Sequence, residues 1–491
     1  MGKYNCEKCG KEFNQKSHYT THTNKKNPCV IESKIKEMID NAVKEKLKEL
    51  NNDKMFVENE NENENENTTN TEQTYKYSEL SRELTKKINK IEKKGNGIYF
   101  TPPETIHKNI QYLTPFMKNV KKILEPSCGS CEYILQLNQT YNDVKITGIE
   151  FNKTIFESIK HIQSENISLF NYDYLTYQNQ DKFDLIIGNP PYFVMEKKDV
   201  DDSYYNYFNG RPNIFILFII KSLNLLNENG ILSFVLPKNF LNCLYYDKTR
   251  KYIFENYHIL NILECNDNYI ETQQDTIIMI IQNKKPLDNN LLYCINISTF
   301  TIFGTPDNIT TLKPLYNNSN TLFNLGFNVS VGNVVWNQCK KDLTNDKTKT
   351  LLVYSSDIKN NQLSIQNYSN KDKKNYINKK GSSQPLLVIN RGYGVGSYKF
   401  NYCIINENNN ENNNENNNEN NNEYLIENHL ICIKPNESIS NENLIKIYKR
   451  IIESFEDKKT VEFIKIYFGN NAINTTELCK ILPIYNISGI N

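Results

Sequence analysis

Apolar residues recur along the chain with different periods, and the changes of period mark its segments. Ile35, Ile39, Val43, Leu47 and Leu50 return every three to four positions in a charged background, which predicts an amphipathic helix over 31–50. Glu58 to Asn67 alternates Glu and Asn without one apolar residue; with nothing to bury, it reads as a disordered linker. A second charged amphipathic stretch runs from Glu79 to Lys93. Short apolar runs then alternate with helical stretches. They are Ile123-Leu124-Glu125, Val144 to Glu150, Ile167 to Asp173, Phe183 to Gly188, Ile231 to Leu236, Ile259 to Glu264 and Thr276 to Gln282. Ile214 to Leu226, closed by Asn229-Gly230, is the helix between the fourth and fifth strands. This alternation predicts an α/β domain on a doubly wound parallel sheet. Beyond Asn283 the period changes and turn residues multiply, so another domain begins; the repeated Glu-Asn-Asn-Asn tract Glu407 to Glu423 is a disordered insertion in it.

The fourth strand delivers an unusual loop, Asn189-Pro190-Pro191-Tyr192-Phe193. Two prolines forbid helix and leave neighbouring carbonyls without an intra-loop donor. Asn189 adds a side-chain acceptor and Tyr192 a flat ring, which together would seat an exocyclic amine on an aromatic base. Accepting both hydrogens of such an amine returns its lone pair to nitrogen, so no general base is needed. Glu125, Glu150, Asp173 and Asn189 fall at the carboxyl ends of four successive predicted strands, the edge where open parallel sheets bind ligands. Glu150 follows the Pro126-Ser127-Cys128-Gly129-Ser130-Cys131 turn by about one βα unit, where an acidic residue takes ribose hydroxyls, and Asp173 is placed to accept from an adenine amino group. The turn carries no basic residue, which disfavours a nucleoside triphosphate.

At 491 residues the chain is long enough for about three domains, and its net charge of +1 leaves nucleic-acid binding to local patches. No cleavable apolar start is present, and the longest apolar run, Ile214 to Ile220, is far short of a membrane span, so a soluble intracellular protein is expected. Twelve cysteines without a small-domain framework fit a reducing compartment and one metal site near the start. Cys6-x2-Cys9 with Phe13, Tyr19 and His22 follows the spacing of a ββα zinc finger. Lys26 stands where a second histidine usually falls, so Cys6, Cys9, His22 and Cys29 are the expected zinc ligands, with His18 as the alternative for one of them. One finger covers only about three base pairs, so DNA tethering and protein contact both stay open as its role.

These residues together resemble the adenine-N6 DNA methyltransferases of the gamma arrangement, which use S-adenosylmethionine and are similar to the methyltransferase parts of type II restriction systems. Asn189 to Tyr192 matches their catalytic motif, Leu124 to Gly129 their cofactor motif, and Tyr99 to Pro102 the loop before it. Gly230 to Leu241, with Arg250 following, is similar to their later motifs. The resemblance implies cofactor contacts from Phe100, Thr101, Pro102, Glu125, Ser127, Gly129, Glu150, Asp173 and Tyr174, and a catalytic set Asn189, Pro190, Pro191 and Tyr192. Cys131 departs from the second glycine usual in the family, so its side chain must fit against the methionine moiety or the backbone must shift. The implied reaction is direct in-line transfer to adenine N6 of a base flipped out of double-stranded DNA, stacked on Tyr192. Four later stretches look like target-recognition domains: Phe327 to Asn333, Leu387 to Gly394, Glu427 to Ile431, and Thr475 to Tyr485. Lys371, Lys373, Lys374, Lys379, Lys380 and Arg391 form a candidate phosphate-facing patch; His429 is assigned no chemistry.

The expected organisation is a finger over 1–30, helix and linker over 31–78, a Rossmann-like methyltransferase domain over 79–285, and an α+β target-recognition domain over 286–491 with its insertion at 406–423. A restriction endonuclease partner is compatible with this reading, and no membrane partner is expected. Two rivals stay open: an amine methyltransferase acting on RNA or a protein glutamine, and a non-catalytic DNA-binding protein with a decayed methyltransferase fold.

Overall fold

The computed structural model describes residues 4–5, 12–13, 19–20, 76–178, 181–265, 269–272, 274–390, 400–406, 422–468 and 473–486. The chain divides into a unit over Met1–Gln73 and a unit over Thr74–Asn491. In the first, Tyr4–Asn5 and Glu12–Phe13 pair antiparallel, with Tyr4 opposite Phe13. The expected ligands Cys6, Cys9, His22 and Cys29, the helix over 31–50 and the Glu/Asn linker lie outside the described residues, as does 407–421 of the later insertion.

The larger unit is organised by a seven-stranded sheet. In chain order its strands are β1 (Lys122–Glu125), β2 (Lys145–Glu150), β3 (Ile167–Asn171), β4 (Phe183–Gly188), β5 (Leu226–Pro237), β6 (His258–Cys265) and β7 (Thr276–Gln282). Across the sheet they run β3-β2-β1-β4-β5-β7-β6. The first five pair in parallel, but β7 runs antiparallel to both β5 and β6. The sheet is therefore mixed, where the sequence pattern predicts a parallel one. The physical reason is the connection between β6 and β7, which is too short for a crossover helix and can only turn the chain back.

Both faces of the sheet are covered. On β4, Leu185 and Ile187 enter one core with Ile106, Ile110 and Ile134, while Ile186 enters the other with Phe215, Leu217 and Phe218. Helix Ile214–Leu225 is apolar almost all round because it is buried almost all round. It ends at Leu225, and Leu226 already belongs to β5, so the strand takes the residues that the sequence reading gave to the helix end. The stretch Glu79–Lys93 is two helices, Glu79–Lys87 and Lys90–Asn96, because Asn89 caps the second by accepting from the Glu92 amide.

In the C-terminal half, Phe327–Val331, Leu430–Pro435, Leu386–Asn390 and Tyr402–Ile405 form a four-stranded antiparallel sheet in that order. Leu444, Tyr448, Ile451 and Phe463 of the following helices pack in a core with its residues Phe327, Leu387 and Ile431. Arg250, fully buried, ties this half to the first: Nε donates to Thr301 O, and Nη1 donates to Phe240 O and Cys243 O. Among the described residues no helix is long and apolar enough to cross a membrane.

Candidate active site

The carboxyl edge of β1, β2 and β4 opens onto two cavities, of about 270 Å³ and 40 Å³, that share Tyr99, Phe100, Ser127, Gly129 and Asn189 in their walls. The larger is also lined by Glu150, Asp173, Tyr174, Pro191 and Phe193; the smaller by Thr101, Glu125 and Tyr133. Most of the residues expected to hold a cofactor thus converge on one place. Pro102 is the exception: it is buried at the start of helix Pro103–Leu113 and lines neither cavity. Asp173 lies two residues beyond the end of β3, where its Oδ1 accepts from the Leu175 amide. Tyr174 contributes its ring, since its hydroxyl is paired with Ser222 Oγ at 2.8 Å.

Glu150 is held by both carboxylate oxygens. Oε2 accepts from the Gly129 amide at 2.9 Å and Oε1 from the Asn152 amide at 2.7 Å. Burial raises its pKa to about 7, against the lowering effect of those two amides. The bonds also fix the Gly129 turn to the end of β2. Glu125 is buried and its Oε2 has no hydrogen-bond partner among the described residues. Burial, then the nearby Cys131 and Glu150, push its carboxyl well above the usual range.

Cys131 takes φ +63°, the left-handed backbone that a glycine would supply. Its side chain is fully buried in the core with Cys128, Ile134 and Leu137, and it lines neither cavity. The thiol therefore packs in the core behind the turn rather than in a cavity wall.

The loop after β4 is braced from three sides. Ser127 Oγ donates to Asn189 O at 3.1 Å, which joins the turn after β1 to the loop after β4 and uses one carbonyl that the prolines were expected to leave free. Asn189 Nδ2 reaches Tyr99 O at 3.4 Å. The Tyr192 hydroxyl lies 2.5 Å from Asn189 Oδ1 and 2.7 Å from Val235 O, both acceptors for its one proton. Tyr192 is half-buried, its ring edge-on to Phe215 at 5.9 Å, and it lines neither cavity; Phe193, equally half-buried, lines the larger one. Gly97, at φ +65°, packs so closely on this loop that a Cβ would stand 2.6 Å from the Tyr192 amide nitrogen.

Three features of the site have no counterpart in the sequence reading. Tyr269, buried in the short connection from β6 to β7, brings its phenol beside Asn189, Tyr192 and Thr276. Lys93 donates to both oxygens of Glu271 at 2.7 Å, which clamps the helix before Gly97 to that connection. The third is the place of Phe193 in the cavity wall, since the sequence reading names that residue only as the end of the loop. The available signal was position alone: an aromatic residue in the link between two strands that end at the same edge.

The chemistry of these groups fits S-adenosylmethionine. The larger cavity pairs a carboxylate wall, Glu150 and Asp173, with an apolar one, Phe193, Ile214 and Phe218, as a nucleoside requires. Glu125, whose Oε2 has no partner among the described residues, lines the smaller cavity, where an ammonium group would pair with its carboxylate. No group of three or more His, Cys, Asp or Glu able to hold a metal ion occurs among the described residues.

Residues 96–270 match the family model described as Eco57I restriction-modification methylase. This segment is Eco57I-like. Over 415 residues, 83% of this chain and 99% of the relative, the chain is 26% identical to "Type II methyltransferase M.CvrRI" of Paramecium bursaria Chlorella virus XZ-6E. It is 30% identical over 213 residues to "Modification methylase CviBIII" of Paramecium bursaria Chlorella virus NC1A, covering 42% of this chain and 55% of the relative. "Type II methyltransferase M.AccI" of Acinetobacter calcoaceticus is 26% identical over 214 residues, 41% of this chain and 39% of the relative. The match thus spans about half or less of the last two relatives. The Eco57I-like segment coincides with both cavities and with β1 to β6, so the α/β sheet described above is methyltransferase-like.

In the C-terminal half, two lysines of the candidate phosphate patch are engaged. Lys379 pairs with Asp342 at 3.1 Å, and Lys373 lies over the rings of Tyr354 and Tyr368 at 4.1 and 3.9 Å. Arg391 lies outside the described residues.

Proposed function

We propose that this chain methylates N6 of adenine in double-stranded DNA, with S-adenosylmethionine as the methyl donor and the target base flipped out of the duplex. The observation that carries the reading is Asn189: one side chain, at the carboxyl end of β4, lies in the wall common to both cavities and has its amide oriented by Tyr192 and Tyr99. Bound in these cavities, the cofactor supplies an electrophilic methyl group on a sulfonium. The chain's own part is to hold the amine. Asn189 Oδ1 keeps a second lone pair beyond the one facing Tyr192, and with the Pro190 carbonyl it accepts the two amine hydrogens, localising the nitrogen lone pair toward the donor. Tyr192, in the same loop, supplies the ring on which the flipped base stacks, as the motif implies. Sulfonium chemistry is favoured by the aromatic Phe100 between the two cavities.

The relatives named as type II methyltransferases support DNA as the substrate. A restriction endonuclease partner is compatible with the same likeness, one relative being named "Type II restriction enzyme and methyltransferase RM.Eco57I". The test is transfer from labelled S-adenosylmethionine to duplex DNA, RNA and protein side by side, with single-molecule sequencing to place the modified base. Label in adenine of duplex DNA is the expected result, and label confined to RNA or protein refutes the reading. For the first 30 residues, the ligand spacing supports zinc held by Cys6, Cys9, His22 and Cys29. Metal analysis of the full chain should then return one zinc, and its absence from metal-replete protein would remove that site.

A further inference from the structure

The turn between strands Tyr424–Ile426 and Leu430–Pro435 carries a group that the methyl-transfer reading does not use. Glu427 has a side chain only 2% exposed, and His429 one that is 60% exposed. The carboxylate holds this one residue twice: Oε1 lies 2.5 Å from His429 Nδ1, and Oε2 accepts from the His429 amide at 3.0 Å. Burying a carboxylate is costly, and a surface turn has no need of one. Its effect here is to lock an exposed imidazole in position and tautomer. With Nδ1 donating inward, Nε2 of the neutral ring is an outward acceptor.

The same edge gathers other polar groups. Asn390 stands opposite Leu430 on the neighbouring strand, and Val331 stands opposite Ile431 on the other side. Gly332 donates its amide to Leu430 O, and a Cβ there would fall 2.3 Å from Glu427 O, so the three segments are packed backbone to backbone. Asn390 Oδ1 and Asn428 Oδ1 are buried acceptors with no partner among the described residues. Rigid polar groups on a sheet edge suit base reading more than charge neutralisation. Two lysines of the candidate phosphate patch, Lys373 and Lys379, are already engaged by Tyr354, Tyr368 and Asp342.

We propose that His429 is a specificity-determining residue: its Nε2 accepts from an exocyclic base amine in the major groove of the target sequence, and Glu427 is the positioning residue that fixes it. The proposal rests on the DNA-methyltransferase reading above. The experiment takes full-length wild type, H429A and E427Q, maps the methylated sequence of each in a random plasmid library, and measures kcat/KM on the wild-type site and on its single-base variants. H429A is expected to lose about 10-fold or more of the discrimination at one base pair and to keep it at the others. E427Q should relax the same position. Replacing the base there with an analogue lacking its amine should cost the wild type that same factor and H429A nothing further. An unchanged recognition sequence in H429A overturns the proposal. So does a uniform loss on every sequence with a lowered unfolding temperature, which is what a merely structural turn would give. If E427Q fails to fold, H429A with the amine-free duplex decides alone. Wild type that labels no DNA overturns the underlying function, and this proposal with it; wild type that labels one sequence while H429A labels the same sequence with the same discrimination overturns this proposal alone.

Discussion

Replacing Tyr192 by phenylalanine removes one oxygen and leaves the ring, which separates two roles that the sequence could not. If the ring acts only as a stacking face, Y192F should work like the wild type. The structure gives the hydroxyl a different task. It lies 2.5 Å from Asn189 Oδ1, and the amide's other contact, Nδ2 to Tyr99 O at 3.4 Å, is too long to hold the group alone. Burial pushes the Tyr192 phenol well above its usual range, so it stays a neutral donor at every pH at which the protein would be assayed. A neutral hydrogen bond of this kind is worth about 0.5–1.5 kcal/mol. Lost from the orientation of Asn189 in the transition state, that is roughly 2- to 13-fold in rate. Val235 O loses a contact as well, and a buried acceptor left unsatisfied costs about 1–3 kcal/mol of stability. Cofactor affinity should not change, because Tyr192 lines neither cavity. Single-turnover methyl transfer, calorimetric binding of S-adenosylmethionine and thermal unfolding read the three quantities separately. Y192F with wild-type single-turnover rate would refute the orienting role, and weakened cofactor binding would refute the placement of the ring outside the cavities.

Asn189→Ala should abolish methylation while cofactor affinity changes little, since the side chain contributes only one part of a shared wall; residual transfer within about 10-fold of wild type would remove Asn189 from its role. Gly97→Ala forces a Cβ to within 2.6 Å of the Tyr192 nitrogen at a φ of +65°, so the protein should lose about 2–4 kcal/mol of stability together with cofactor affinity; an unchanged melting temperature would show that this contact yields freely. Burial raises the Glu477 carboxyl to about 7, so the folded chain holds a proton that the unfolded chain releases near the usual carboxylate value. The stability from the neutral form is fully present below about pH 4.5 and lost as pH rises through about 7. Glu477→Gln keeps the capping bond pattern with Asn474 and removes the titration, so its stability relative to wild type should grow by about 1–3 kcal/mol between pH 5 and 8. Parallel pH profiles for the two proteins would exclude Glu477 as the source.

What the sequence made legible is what depends on near neighbours along the chain. Apolar runs of strand length gave β1, β2, β4 and β7 almost to the residue, because buried strands in a sheet covered on both faces carry their own signal. The same local reading brought Glu125, Glu150 and Asn189 to one edge, since the ends of successive parallel strands must share it. It went wrong wherever a distant partner decides. Leu226 reads as helix on its period, yet it pairs with Phe183 of β4 and becomes strand. Tyr192 reads as a stacking face on its chemistry, and nothing along the chain signals that Val235, 43 residues away, also takes its hydroxyl. Cys131 reads as a side chain in a glycine position, and only the fold shows its thiol placed in the core behind the turn with the backbone left-handed. Lys93 and Glu271 are 178 residues apart, and no pattern along the chain links them. These contacts share one property: each fixes the orientation of a group whose position the sheet had already set. Strand order places Asn189 at the rim; Tyr192, Ser127, Gly97 and the Lys93–Glu271 clamp determine which way its amide and its loop face. A protein with the same sheet and the same four-residue motif but without those braces would present the same atoms in the wrong direction, and in the proposed reaction, which uses no general base, direction is most of what the chain would contribute.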